Sequence, residues 1–447
     1  MVTLTARIAP GASPLVGHLP RLLRAPLAFQ VGLLSGDPVV RVRLGLRDLY
    51  VVTRPDVARK LLVSSDDAFD LGGPFFDSMR LIFGNGLGTC SNADQRRLRP
   101  LMNPAFRMDQ MPGYANIMRE QVSALARTWE SGQVVEVGAQ MKLLTTRVLT
   151  STLLTSEHAA PAVAEMTRAL PLVMPGLYWR MIIPMPGLFR LPTPSNRRFN
   201  EARNSLLSAC DQAVSQYRSA GTGRSDLLSN MMEARGKDGD ALDDRELRDQ
   251  ISTLIFAGAE TASSLLTWAI HLISNHPAVE RKLWAEVDEV LRGHVPEFHE
   301  LPDLPYTQRI LNEALRLFPP LWMFTMVTTA EAFIAGHRIP VGSHVLLPIY
   351  ALHRDPSVFA DPETFDPDRW LPERVGPAQR QGHLGFGAGA RKCIGDNFAM
   401  IESTITLAGL AGRFRFIPHG NKRVEPKLRT ALSPTACPMR VHLRTAR

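Results

Sequence analysis

The sequence has little cysteine: Cys90, Cys210, Cys393 and Cys437 are the only four in 447 residues. So few thiols in so long a chain exclude a disulfide framework and fit a reducing compartment. No run reaches the ~18 uninterrupted apolar residues that a membrane-crossing helix needs. Met1 to Pro20 is broken by Pro10, Pro14 and Pro20 before it can build the apolar core of a signal peptide. A cytoplasmic protein with no membrane span is therefore expected. Repeats, low-complexity tracts and shifts of composition are also missing, so nothing marks a second domain. Charge of one sign is not concentrated: Lys+Arg 51 against Asp+Glu 43 leaves +8 spread over the chain. Short clusters occur at Arg96-Arg97-Leu98-Arg99 and Arg391-Lys392. That scatter excludes a nucleic-acid tail, whereas local patches suit an acidic protein partner.

What is present is an ordinary globular composition, 45% hydrophobic and 21% charged, long enough to bury a large core. Residues 1–38 are punctuated by proline and read as a lead-in. Residues 39–53 alternate or run β-branched around Gly45, which predicts a hairpin. From 55 to about 315 the pattern is mostly helical. Glycine-rich breaks fall at 72–74 and 84–88, and a Pro-rich break at 170–194. Residues 219–240 are rich in Gly, Ser and charge and predict an exposed loop.

Asp243-Asp244-Arg245-Glu246 places acids where a helix start favours them. The helix that follows, over 244–275, is apolar on every side at Leu254-Ile255-Phe256-Ala257-Gly258-Ala259. Such a helix belongs in a core. Two more helices are predicted at 279–293 and 306–317, then strand-like sequence from Pro320 to 350. The fold expected is mainly α: one large helical domain with small β-sheet regions and a long central helix.

Cys393 lies in Phe386-Gly387-Ala388-Gly389-Ala390-Arg391-Lys392-Cys393-Ile394-Gly395. Three glycines allow the backbone to fold tightly under the sulfur, and Arg391 adds positive charge nearby. Both favour a thiolate that can bind a metal. For an arbitrary cysteine a buried structural role is the commoner one, and a catalytic nucleophile is a further reading. The segment, however, resembles the signature of the cytochrome P450 family: Phe, two free, Gly, free, Arg, free, Cys, free, Gly. Chance yields those five fixed residues in about one in 10⁴ chains of this length. The resemblance implies a P450-type helical domain. It further implies that Cys393 in the 386–395 loop is the axial thiolate of a haem b (iron protoporphyrin IX), a ligand that favours O–O cleavage.

Glu-x-x-Arg at helical spacing is usually a solvated pair. It occurs three times, and position selects Glu313 and Arg316, just before Pro319-Pro320. Arg369 stands in Phe365-Asp366-Pro367-Asp368-Arg369-Trp370. By resemblance Glu313, Arg316 and Arg369 form a buried structural triad, which demands full pairing.

Ala257-Gly258-Ala259-Glu260-Thr261 sets an acid and a hydroxyl inside an apolar helix, costly without a purpose. Thr261 can bond back to the Ala257 carbonyl and loosen the helix there, with Gly258 leaving space. A core threonine beside a paired glutamate is the plain alternative. By resemblance this is the oxygen-activation element. Thr261 donates a hydrogen bond to dioxygen, and Glu260 relays protons from solvent so that one oxygen atom leaves as water.

The family's propionate-binding helix resembles 92–99, with Arg99 in place but Gln95 where an aromatic donor is usual. Met326 stands where an arginine is usual. Arg391 and His353 remain candidate donors. By resemblance the substrate pocket draws on Phe75, Phe76, Met79, Phe256, Ala257, Leu321, Trp322, Met323 and Phe324, an uncharged set suited to a hydrocarbon-like ligand. Core packing is the plain reading for any one of them.

Residues 70–76 and 191–200 are similar to bacterial sesquiterpene oxygenases, which implies hydroxylation or stepwise oxidation of a cyclic terpenoid. Only 54 residues follow Cys393. Electrons are therefore expected from NAD(P)H through separate partners, a ferredoxin and its reductase, docking near Arg391, Lys392 and the 96–99 helix. A steroid, macrolide or fatty-acid substrate is the competing reading within this chemistry. Outside it stand a peroxide-driven or non-oxidative haem-thiolate enzyme and a haem-binding sensor or carrier. A cysteine hydrolase is weakest, because no histidine nearby is arranged as a base.

Overall fold

Alternating β-branched residues form the expected hairpin. Val39–Leu44 and Arg47–Val52 pair antiparallel, Val39 opposite Val52 and Leu44 opposite Arg47. The structure, a computed structural model, describes residues 4–34, 36–45, 47–64, 67–155, 159–182, 186–220, 226–237 and 239–444. The chain divides into two compact units, Met1–Asp77 with Leu315–Cys393, and Ser78–Ala314 with Ile394–Arg447.

In the first unit the hairpin sits inside a six-stranded mixed sheet. Its order is Arg7–Ile8, Val39–Leu44, Arg47–Val52, His344–Leu347, Phe324–Thr328, Phe69–Leu71. Successive strand side chains point to opposite faces. Val39, Val52, Val345 and Leu347 accordingly pack in one core cluster, and Val40, Val42, Val51 and Leu346 in another.

The second unit is built on the central helix, Asp244–Ser274. Its start is a capping box: the Asp243 side chain accepts from the Glu246 N–H, and Glu246 accepts from the Asp243 N–H. Length and apolar composition would let this helix cross a membrane. However, 83% of its most apolar 18-residue window is buried within the protein. It packs against Val137–Leu153, Pro194–Ala220 and Asp396–Arg413. Phe414–Pro418, Pro438–Leu443 and Val134–Glu136 form an antiparallel sheet beside these helices.

Three expectations need correction. The lead-in carries a strand, Arg7–Ile8, and two short helices, Leu19–Arg24 and Pro26–Val31. Each helix has its proline in the first turn, where a missing N–H costs nothing. The Pro-rich break at 170–194 is largely helix, since Ala160–Ile182 runs through Pro171 and Pro175. Burial of Met166, Leu170, Val173 and Leu177 outweighs the hydrogen bonds those prolines forgo. The loop expected at 219–240 contains the helix Leu227–Glu233, which buries Leu227, Leu228, Met231 and Met232. Asp226 anchors it, accepting from the Ser229 N–H at 2.8 Å and the Tyr217 hydroxyl at 2.7 Å. Residues 221–225 and 238 of that loop lie outside the described residues.

Candidate functional site

The Cys393 loop is folded by the hydrogen bonds its glycines permit. The Gly387 N–H donates to the Leu384 carbonyl at 2.9 Å, and the Cys393 N–H to the Phe386 carbonyl at 2.8 Å. Gly387 and Gly389 have φ of +70° and +64°, which side chains resist. At Gly389 an added Cβ would sit 2.1 Å from the Leu62 carbonyl oxygen, so the loop lies directly on the Pro55–Val63 helix. Gly395 precedes the helix Asp396–Arg413. Phe386 is half-buried. Cys393 is exposed, whereas Cys90, Cys210 and Cys437 are buried. Burial pushes the thiols of Cys210 and Cys437 up, the latter to about 12, which leaves both inert.

The surroundings of the loop assign its cations. Arg391 is half-buried, with Nη2 3.4 Å from Asp70 Oδ1. His353 is not a propionate donor. It is fully buried, its Nδ1 donates to the Arg316 carbonyl at 3.0 Å, and its Nε2 accepts from the Leu384 N–H at 2.8 Å. Both ring nitrogens are therefore spent on the backbone. Burial, His383 stacked 5.2 Å away, and the cations Arg316 and Arg354 hold its pKa well below the usual value.

Glu313, Arg316 and Arg369 are all buried. Arg316 donates to the carbonyls of His353 at 3.0 Å and Pro362 at 2.7 Å. Arg369 donates to the Ala360 carbonyl at 2.6 Å. The two guanidinium groups thus gather the 353–362 backbone in the unit that carries Cys393.

Glu260 and Thr261 belong to the other unit. The central helix is buried along most of its length, but Ala257 is exposed and Gly258 and Thr261 are half-exposed. One turn of a core helix is therefore open. The Thr261 hydroxyl donates back to the Ala257 carbonyl at 2.5 Å, as expected. The space at Gly258 is taken by the neighbouring helix, since an added Cβ would meet Leu149 Cδ2 at 2.8 Å. Glu260 is buried and forms an ion pair with Lys142 of Val137–Leu153. Thr145, one turn on, donates to the Ala259 carbonyl at 2.9 Å. Sequence reasoning missed Lys142, since a partner from a remote helix leaves no local signal.

Gln95 is buried and Arg99 half-buried, one turn apart on Asn92–Met102. Arg96 and Arg97 are exposed, and Arg97 pairs with Asp240 and Glu246.

The expected pocket residues separate into groups. Phe75 and Phe76 are buried and meet edge to face at 5.0 Å, and Phe76 meets Phe324 at 5.6 Å. Met323 and Phe324 pack on the sheet cores, and buried Met326 is part of one, so these three are core-forming. Met79 and Trp322 are half-buried and Leu321 is exposed. Phe256 lies 4.7 Å from the Phe83 ring, at the end of Pro74–Phe83.

Among the described residues no group of three His, Cys, Asp or Glu side chains can hold a metal ion. An exposed thiol on a glycine-shaped loop suits a metal brought in by a prosthetic group that needs one protein ligand. A haem fits that donor set.

Comparisons with known proteins agree with this chemistry. The family model described as Cytochrome P450 matches residues 9–439. The chain is 42% identical over 436 residues to a cyclooctatin synthase of Streptomyces melanosporofaciens, covering 97% of this chain and 94% of that one. It is 39% identical over 446 residues to a pentalenene oxygenase of Streptomyces avermitilis, covering 100% and 98%. It is 38% identical over 415 residues to a cyclooctat-9-en-7-ol 5-monooxygenase of Streptomyces melanosporofaciens, covering 93% and 90%. The cytochrome P450DA heme domain matches with a TM-score of 0.87 at 27% identity, covering 99% of both chains.

Proposed function

This chain belongs to the cytochrome P450 family and is a monooxygenase, and on that premise we propose that it oxidises a cyclic terpenoid. The reaction puts one oxygen atom of O2 into a C–H bond. The other leaves as water, with two protons and two electrons consumed. The observation that carries this reading is Cys393 on its glycine-shaped loop, in a chain about 40% identical to terpenoid oxygenases.

Cys393 would ligate a haem b, with Arg99, Gln95 and Arg391 toward its propionates. When bound, the haem supplies the redox chemistry that activates dioxygen. Glu313, Arg316 and Arg369 would hold the surrounding backbone. Thr261 and Glu260 supply protons where the central helix opens. The Thr261 proton is committed to the Ala257 carbonyl at 2.5 Å, so it must turn away to serve dioxygen or a water. Lys142 holds the Glu260 carboxylate, so that carboxylate must loosen its ion pair to pass a proton. Phe75, Phe76, Phe256 and Trp322 suit an uncharged ring system. Electrons come from NAD(P)H through a ferredoxin and its reductase in the cytoplasm, and exposed Lys392 and Arg96 offer charges for docking.

The test is the absorption spectrum of the reduced protein with carbon monoxide, followed by product analysis with cyclic terpenes. A strongly red-shifted haem band that disappears in Cys393→Ala is expected. A haem band indifferent to that change would overturn the ligand assignment. Intact haem with no oxidised terpene would overturn the substrate class.

A further inference from the structure

A cavity of about 290 Å³ lies between the lead-in and the two short helices Leu19–Arg24 and Pro26–Val31. Pro10 of the lead-in forms one wall. Ala25, Ala28, Phe29 and Leu33 form an apolar floor, spaced by three and four residues so that they share one side. Arg21 and Arg24, one turn apart on the first helix, also line it.

The walls are held in place. The Ala9 N–H donates to the Arg41 carbonyl at 2.9 Å. The fully buried His18 ring ties the lead-in down with both nitrogens: Nε2 donates to the Ala9 carbonyl at 2.8 Å, and Nδ1 accepts from the Arg43 N–H at 3.0 Å. Ala9 and Leu33 are buried in one cluster with Val40 and Val42 of the hairpin, and Phe29 packs against it. Lead-in and floor are thus fixed to the same strands, and the cavity between them is part of the fold.

Charge and size select the occupant. The first 36 residues contain Arg7, Arg21 and Arg24 and no aspartate or glutamate. Arg21 and Arg24 are exposed, and Arg21 donates to the Pro10 carbonyl at 3.2 Å. Neither has an acidic partner among the described residues. Two neighbouring guanidinium groups match a head that carries more than one negative charge, and their planar forks suit phosphate oxygens. A bare inorganic anion would leave the apolar floor wet, and a hydrocarbon would leave the arginines unmatched. At about 30 Å³ per water-sized group, the cavity takes a tail of no more than about ten such groups. We propose that it binds a phosphorylated amphiphile, with a diphosphate head against Arg21 and Arg24 and a short apolar tail along Ala28, Phe29 and Leu33. This is a second small-molecule site, and it does not rest on which substrate is oxidised.

The test is equilibrium dialysis of radiolabelled geranyl diphosphate against the holoenzyme, without divalent metal. One equivalent should bind, more weakly as salt rises, and leave the haem absorption spectrum unchanged. Inorganic diphosphate should bind about tenfold more weakly, the worth of two buried methylene groups. Arg21→Gln and Arg24→Gln should each raise the Kd about fivefold. Ala28→Trp fills the cavity from an exposed position and should abolish binding, with thermal unfolding of each variant checked. Decyl phosphate, run in parallel, distinguishes the sources: tighter geranyl diphosphate names an isoprenoid, tighter decyl phosphate a straight-chain lipid, and either supports the site. Wild-type protein that binds neither would overturn the proposal. So would inorganic diphosphate binding as tightly as the geranyl ester, or Ala28→Trp binding undiminished. A haem spectrum that shifts in step with binding would place the ligand in the oxidation site and overturn it too.

Discussion

Two helices of the second unit carry the same local chemistry and treat it differently. The central helix has Ala259-Glu260-Thr261-Ala262-Ser263, and Asp396–Arg413 has Ile401-Glu402-Ser403-Thr404. Each sets a buried acid before hydroxyls in an apolar helix. Around Glu260 the helix opens at Ala257 and Thr261, and Lys142 supplies a cation. Around Glu402 everything is closed: its Oε1 and the hydroxyls of Ser403 and Thr406 are buried without a hydrogen-bond partner. Burial pushes the Glu402 carboxyl up to about 8. An acid followed by a hydroxyl is therefore not a functional signal in itself. The two settings differ in their neighbours: Glu260 has a cation beside it, whereas burial without a cation raises the Glu402 carboxyl.

The largest expected effect lies at the open helix. Thr261→Ala should cut product formed per electron by about 10²-fold. Thr404→Ala removes a comparable back-bond, 2.7 Å to the Met400 carbonyl, and should leave that ratio unchanged. Equal ratios in product and electron-consumption assays would erase the distinction.

Next in size is the closed helix. The folded pKa of Glu402 is raised, so the folded state holds a proton that the unfolded chain releases. Its stabilisation is full below the ordinary carboxylate range and is lost as pH rises toward 8, at about 1.4 kcal/mol per pH unit. Glu402→Gln should flatten that slope in denaturant titrations between pH 5 and 8. A slope shared by variant and wild type would show that Glu402 is not the titrating group.

The smallest effect belongs to the cation. Lys142→Gln should cost about 1 kcal/mol, because its side chain is one-third exposed and the pair is screened. It should also change the solvent isotope effect on product formation while terpene binding is unaltered. An unchanged isotope effect would reduce Lys142 to a structural ion pair.

The Cys393 loop was legible in the sequence because its turns are local: Gly387 and Gly389 take the positive φ those turns need, although the close approach of Gly389 is to the remote Leu62 carbonyl. The acidic start of the central helix was readable for the same reason, and the structure makes it a capping box. Lys142 was not, because the helix that meets Glu260 is chosen by packing across more than 100 residues of chain. Nor was the engagement of His353, whose partners Arg316 and Leu384 come from separate segments. The prolines at 171 and 175 misled because burial against Pro194–Ala220 is a tertiary contribution that no local propensity contains.

His353 has one more consequence. A proton on its Nε2 would remove the acceptor that fixes the Leu384 N–H, the start of the chain of contacts leading to Cys393. Its lowered pKa keeps that nitrogen bare in mildly acidic solution, and the cost is deferred to acid unfolding below the ordinary histidine range. The backbone that leads into the loop thus keeps its shape across the mildly acidic range.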